Sequence, residues 1–570
     1  MALSSGNDIE RSSSKSSVSP SPRNDEEKVT PAGSLIGDRE GSMTTIGKSD
    51  WTHRNLKPRH IQLIGIGGTI ATALFIQIGN GLMAGGPASL FLAFVIWCTF
   101  ILATTVSMAE MVSHLPISSP FIRFAGRYVD EALGFAAGWN FWIYEVALAT
   151  FEVTACNVII HFWSDVVPAG AMIAIVIILY ALINLLAVEY YGETEFWAAL
   201  GKMMLITGLI IFTFIVMLGG NPQHDRFGFR YWQNPGAFNE KFTTGDLGRF
   251  QGFLGALIVA AFTIAGPDYV SMAAGEAENP RVSMPRAYST VFYRLAVFFV
   301  FGSLAVGILV PYNDPELKAA LGEGKAGAAA SPFVVAMNRL GIPVLPHIVN
   351  ALMLSSAFSA GNSYVYCSSR SLYGMALEGK APKIFTKVTK GGVPVYSVLF
   401  CLSITLLSFL QTNNNAAVVL NWFVSLVTAS QLINFLVMCV TYIGFYRAWK
   451  AQGRTRDPKT DRGRLPFIGW WQPWTAIYGA IGTFWMTFMS GYEVFLPGQW
   501  KVTNFLFSYL AVMIFPVLYL VWKLIHRTKL HKPHEVNLDG EIAEILEYEK
   551  HYVPEEPKNK FIKAFNWVFS

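Results

Sequence analysis

The chain has 570 residues, of which 52% are hydrophobic and only 14% charged, with a mean hydropathy of +0.39. That balance excludes a disordered chain and an ordinary soluble domain, and indicates a protein that crosses a membrane several times. The net charge of +5 is small, and its basic residues gather in alternate loops, which marks one membrane face rather than a nucleic-acid-binding surface.

Residues 1–56 are rich in Ser, Asp, Glu and Lys and contain no apolar run, so they read as a cytosolic N-terminal tail unable to fold alone. Lys15, Lys28, Lys48 and the serines offer modification targets, which makes ubiquitin ligase machinery an expected partner of the tails. The segment lacks the apolar core and small-residue cleavage site of a secretory signal.

The first apolar window, Ile61 to Met83, carries Gly65, Gly67 and Gly68 just ahead of Thr69, Ala71, Thr72 and Ala73. A helix that only had to span lipid would do better with Leu and Ile, since each glycine costs roughly 1 kcal/mol against alanine. Two readings follow: a helix interrupted at mid-membrane depth, its freed N–H groups facing a ligand carboxylate, or a continuous helix whose small residues permit close packing. The window Phe253 to Ala274 favours the first, because Gly266-Pro267-Asp268 lies in its middle, where Pro removes a donor and Asp is an expensive guest. Two broken spans at corresponding places point to a transporter built from inverted repeats, with its solute between the breaks.

Further windows at about 88–112, 133–160, 168–188, 196–219, 289–311, 345–375, 395–411, 417–446, 472–492 and 503–525 bring the expected total to about twelve spans. Basic residues cluster before the first span (Lys57, Arg59) and after the second (Arg123, Arg127), sixth (Arg281, Arg286), eighth (Lys380, Lys383), tenth (Arg447, Arg454, Arg456) and twelfth (Lys523, Arg527). With alternating helices these all fall on one side, so both termini are expected in the cytosol. The expected domains are therefore the tail 1–56, a transmembrane domain 57–525 and a cytosolic C-terminal tail 526–570, whose end, with Phe561, Ile562, Phe565 and Trp567 beside Lys558, Lys560 and Lys563, lies in the membrane interface, docks on the body or is disordered.

Ionisable residues inside spans are functional candidates, since a mid-bilayer charge costs at least about 2.5 kcal/mol. Lys202 would occupy the place of a bound cation and exchange protons, or else snorkel to the interface. Asp268 would bind an ammonium, join a proton relay or cap the second half-helix. Glu152 serves either a buried hydrogen bond or transport, while Glu110 and Glu145 are expected nearer the interfaces in structural roles. Cys98, Cys156, Cys367, Cys401 and Cys439 all fall in apolar spans without metal or disulfide spacing and read as buried small hydrophobes.

Several segments, IGIGGTIATALFIQIG, SMAEMVSHLPISSPFIRFAGRYVD, YYGETEFWAALGK, AAGEAENPRVSMPRA and SAGNSYVYCSSRSLYGMALEGKAPK among them, resemble the signature segments of the fungal amino-acid permeases of the amino acid, polyamine and organocation superfamily. The resemblance runs from about Arg59 to Lys523. It implies an all-α polytopic membrane protein with a LeuT-like 5+5 inverted repeat and two additional transmembrane helices, importing amino acids with protons at the plasma membrane. It also implies that Thr69, Ala71, Thr72 and Ala73 surround the substrate carboxylate, and that Phe262, Ala265, Gly266 and Asp268 meet the ammonium and side chain. Lys202, Glu152 and Asp268 would couple protons, and Ser359, Asn362 and Ser363 would line a former cation site. No cofactor or metal is expected.

Ala71-Thr72-Ala73 replaces the family's usual Gly-Thr-Gly, Gly266-Pro267-Asp268 replaces a more common Gly-Ser/Thr-Glu, and Asn434-Phe435 stands where many members carry a tryptophan. These departures bring carnitine, a polyamine or a narrow amino-acid range into view as solute. A non-transporting nutrient sensor of the same fold is the rival reading. An enzyme is disfavoured, because the sequence shows neither a nucleophile and histidine pair nor metal-ligand spacing, and without a Walker motif a gradient must drive any accumulation.

Overall fold

The structure is a computed structural model and describes residues 61, 70, 72–163, 166–186, 191–322, 330–389, 392–456 and 465–551. Thr69, Ala71 and the glycines at 65, 67 and 68 lie outside the described residues, as does the end of the C-terminal tail. Among the described residues every regular element is helical, and nine stretches are long and apolar enough to cross a membrane.

The first of these, Ala73–His114, is interrupted at Gly86, whose φ of +79° leaves the helical region. It is therefore described as α1 (73–85) and α2 (87–114). Glycine is required at the corner twice over, since a Cβ there would also lie 2.9 Å from the Ala237 carbonyl oxygen. Pro87 then opens α2, where a missing N–H is harmless. The backbone groups freed at the corner are taken up by residues 237–239: Ala88 N donates to the Ala237 carbonyl (2.9 Å), Asn239 N to Gly85 (2.9 Å) and Asn239 Nδ2 to Met83 (2.7 Å).

Next come α3 (Pro120–Tyr128), α4 (Glu131–Ile160), α5 (Ala169–Leu186), α6 (Tyr191–Met217) and α7 (Gly245–Thr263). The chain continues through α8 (Pro267–Met272), α9 (Pro280–Ser289) and α10 (291–309) to α11 (Leu345–Leu377) and α12 (Val395–Thr405). It ends with α13 (Ala416–Ala451), α14 (Trp474–Met489), α15 (Val502–His526) and α16 (Ile542–His551).

Burial sorts these helices. The most apolar window of α4 is 83% buried against 11% for α15 and 22% for α5, so α4 is a central post and the other two present apolar faces to the surroundings. Where α1 crosses α7, Gly85 and Gly252 bring the backbones together: a Cβ on Gly85 would come within 2.6 Å of the Gly252 carbonyl oxygen.

Asp130 caps α4 by accepting from Ala132 N at 3.2 Å, and the same buried carboxylate accepts from Lys523 Nζ and from the Tyr519 hydroxyl (3.1 Å) of α15. Glu110 has the structural role expected of it. Its two oxygens accept from Arg456 Nε (2.9 Å) and Nη2 (2.7 Å), and Gly469 N adds a third bond at 2.7 Å.

Beyond α15 the chain docks on the body. His531 N donates to the Val129 carbonyl, Gln452 Nε2 to Val536 (2.7 Å), and His114 Nε2 pairs with the Leu538 carbonyl (3.0 Å). Leu538, Ile542 and Ile545 are buried, Asp539 is held by both Arg454 nitrogens, and Glu541 bridges Arg123 (3.1 Å) and Arg127 (2.8 Å). Residues 531–551 of the tail thus dock on the body, whereas the terminal residues 558–569, on which the expectation of interface or docking rests, lie outside the described residues.

Partial burial alone would raise the Glu541 carboxyl, but Arg127 and Arg123 outweigh it and hold it below the ordinary glutamate range. A carboxylate with a depressed folded-state pKa stabilises docking above its unfolded value and loses that contribution as pH falls through the folded one. The pairs are partly exposed and contribute at most about 1 kcal/mol. Glu541→Gln at pH 7 is therefore expected to speed amide hydrogen exchange over residues 531–545 by up to about 5-fold. Wild type, corrected for intrinsic rates, should show the same loosening only below about pH 4. Equal protection in both proteins at pH 7 would assign the docking to the apolar contacts alone.

Candidate functional site

The second break lies where the sequence places it. α7 ends at Thr263, Gly266 has φ +156° and ψ −44°, and Pro267 starts α8. Backbone groups leaving a helix at this depth must find partners within the protein. Gln431 Nε2, from α13, donates to the Ile264 carbonyl at 3.2 Å. Gly266 N donates to Asp268 Oδ1 at 3.2 Å, and the Tyr288 hydroxyl reaches the Pro267 carbonyl at 3.4 Å. Asp268 thus fastens the break's own backbone with one oxygen, while the other, Oδ2, is buried without a hydrogen bond. Phe262, on the last turn of α7, packs edge-on against Phe151 of α4 at 5.2 Å.

On the first span the described chain is already helical at Thr72, and Ala73–Gln77 form a π-helical turn, a local widening often found at functional sites. The Thr72 hydroxyl donates to Glu152 Oε2, tying the first span to α4. Both side chains are buried.

A second cluster lies between α6 and α11. Lys202 is 2% exposed, which rules out snorkelling, and its Nζ lies 3.7 Å from Glu195 Oε1. The other Glu195 oxygen accepts from Ser359 and Ser363, each at 2.8 Å. Asn362 instead accepts from Asn184 Nδ2 of α5 at 2.9 Å. The lysine and the serines thus meet through one carboxylate.

The two clusters adjoin. Lys202 acts electrostatically on Glu152, and Gly361 of α11 lets Tyr180 and Glu152 close around it. Away from both clusters, Asn80, Asn157, Gln411 and Asn421 line a cavity of about 140 Å³ bounded by α1, α4 and α13.

Two participants, Glu195 and Gln431, escaped sequence reasoning, and the depth of a third residue was misjudged. Glu195 was legible in principle, standing seven residues before Lys202 and so on the same helix face. Gln431 carries no local signal. Glu145, expected near an interface, is the fifteenth of the thirty residues of α4, wholly buried, with neither oxygen in a hydrogen bond of ordinary geometry. The departure at Asn434 also finds its partner, since Asn140 Nδ2 donates to Asn434 Oδ1 and to the Ser430 carbonyl, both at 2.8 Å.

Helices of this length and apolarity, one of them broken around a buried acid, define a multi-pass membrane protein with an internal polar site. A family model described as amino acid permease matches residues 60–535. The chain is 51% identical over 507 residues to the general amino acid permease AGP2 of Saccharomyces cerevisiae, covering 87% of this chain and 84% of that one. It is 39% identical to the proline-specific permease of Emericella nidulans, over 96% of this chain and all of that one, and 37% identical to the dicarboxylic amino acid permease of Saccharomyces cerevisiae, over 86% and 81%. The chain belongs to the amino acid permease family. It is a membrane transporter of amino acids rather than an enzyme.

A Cβ on Gly361 would sit 2.1 Å from the Tyr180 hydroxyl and 2.9 Å from Glu152 Cβ, whereas one on Gly374 of the same helix meets nothing within 4 Å. Gly361→Ala is expected to lose at least about 1–3 kcal/mol of stability by overpacking and to depress uptake, with Gly374→Ala close to wild type. Thermal unfolding in detergent and uptake per surface molecule test the contrast, and two variants of equal stability would show the Glu152 neighbourhood to be pliable.

Proposed function

We propose that the protein imports amino acids across the plasma membrane together with protons, by alternating access about the two breaks. The proposed architecture is a LeuT-like 5+5 inverted repeat with two added spans, about twelve in all, and both termini cytosolic. The tails 1–56 and 526–570 serve regulation, including by ubiquitin ligase machinery, and lipid surrounds the body 57–525. The substrate carboxylate faces Thr69, Ala71, Thr72 and Ala73, and its ammonium and side chain face Phe262, Ala265, Gly266 and Asp268.

The observation that carries proton coupling is the buried Lys202–Glu195 pair with Ser359 and Ser363 on the same carboxylate. An ammonium held there supplies the positive charge that a bound metal cation would otherwise bring, and it can be discharged by losing a proton. Glu152 extends the path to the first span, since protonation would turn it from acceptor to donor toward Thr72 and so link its charge to the position of α1. Asp268 completes the set of proton-coupling groups.

The printed names of relatives span proline, dicarboxylic and lysine permeases, so family membership alone does not choose the solute. The expected experiment is uptake of labelled alanine in a transport-deficient fungal cell at two external pH values, with amino acids, carnitine and spermidine as competitors. Saturable uptake that rises at acid pH and is competed by α-amino acids supports the proposal, whereas binding without flux shifts the assignment to a sensor. Lys202→Met should abolish acid-stimulated accumulation, by about 10-fold or more, at normal surface levels. An unchanged pH dependence in that variant would remove Lys202 from the coupling path.

A further inference from the structure

The described buried acids differ in how they are satisfied. Glu110 is saturated by Arg456 and Gly469, Glu195 by Lys202 and two serines, and Glu152 holds the Thr72 hydroxyl. Glu145 has only the Tyr269 hydroxyl beside it. It is wholly buried at mid-helix, and neither oxygen makes a hydrogen bond of ordinary geometry. A group so placed costs stability unless something outside the chain completes it.

Its surroundings are those of a recognition point. Glu145 and Glu152 are seven residues apart on α4, hence on one face and about 10 Å apart along the axis. Asp268, at the break, is close enough to act electrostatically on Glu145, and its Oδ2 is unpartnered. The adjacent buried Tyr269 hydroxyl is the hydrogen-bonding neighbour of Glu145, though outside ordinary hydrogen-bond geometry, and its ring stands 6.0 Å from that of Tyr364. Two cations elsewhere in the core are engaged, Lys202 by Glu195 and Arg456 by Glu110. Among the described residues no ion pair to Glu145 or Asp268 is formed.

We propose that Glu145, with Asp268 and Tyr269, forms a second recognition point in the solute site, which takes a positively charged group at the end of the solute away from Thr72. The assignment rests on the proposed transport reading and narrows it: solutes with a second cationic group, as in dibasic amino acids, are favoured over neutral ones of equal length. The two acids supply the charge, and the Tyr269 ring and hydroxyl supply a face and a polar contact for an ammonium.

The test is competition of labelled alanine uptake by lysine and by norleucine, which differ in the terminal ammonium. Wild type should prefer lysine, and Glu145→Gln should reduce the ratio of the two inhibition constants by at least about 10-fold, with Glu145→Asp restoring part of it. Equal competition by lysine and norleucine in wild type overturns the recognition point and leaves transport standing. A preference that survives in Glu145→Gln, or inhibition constants that rise in parallel, also overturns it and makes Glu145 structural. If the glutamine variant fails to reach the surface, Tyr269→Phe carries the test, with an expected loss of about 3-fold in the same ratio. Absence of uptake of any amino acid by wild type would instead overturn the transport reading and the recognition point with it.

Discussion

The hydrogen bond from Gln431 to the Ile264 carbonyl is the interaction on which the rest of the structure depends. A helix can open inside a membrane only if its freed peptide groups are received by the protein, because hydrocarbon offers them nothing. Here the receivers come from three directions: α13 through Gln431, the break itself through Asp268, and α9 through Tyr288. α13 is in turn seated on the central post α4 by the bonds of Asn140 to Ser430 and Asn434. The broken span is therefore a property of the whole bundle, and loosening α13 from α4 would remove the partner that keeps the break open.

Buried charge is handled unevenly around that break. Carboxylates with full hydrogen-bond complements, Glu110 above all, rigidify the fold at the loop between α13 and α14. The other buried carboxylates are progressively less satisfied, from Glu195 through Glu152 to Glu145. A fold selected only for stability would not keep that gradient, since a half-satisfied polar network is worse than an apolar one. Where sequences break such rules, the gain usually lies in function.

The docked segment 531–551 gives a second use to residues that the loop-charge pattern marks for orientation. Arg123 and Arg127 stand on α3 and Arg454 just after α13, and the same guanidiniums bind Glu541 and Asp539. One short acidic and apolar stretch thereby touches α2, α3 and the end of α13 at once and ties the three together.

What the sequence by itself determined is whatever depends on local composition. Apolar run length set the spans, Gly-Pro-Asp set the second break, and the buried lysine and acids could be named because charge is conspicuous in an apolar stretch. The first break rests on residues outside those described, so its glycines remain a reading of sequence. Only the tertiary structure decided which of those polar groups meet. Ser359 reaches Glu195 across 164 residues of chain and Gln431 reaches Ile264 across 167, and neither pairing leaves a trace in the residues around it. It also moved Glu145 from the expected interface to the middle of α4, because an acid's place in a sequence window does not say which helices will bury it. Helices form from local backbone bonds and local apolarity, whereas a buried polar site is assembled by the packing of several helices, and packing partners are a global property of the chain.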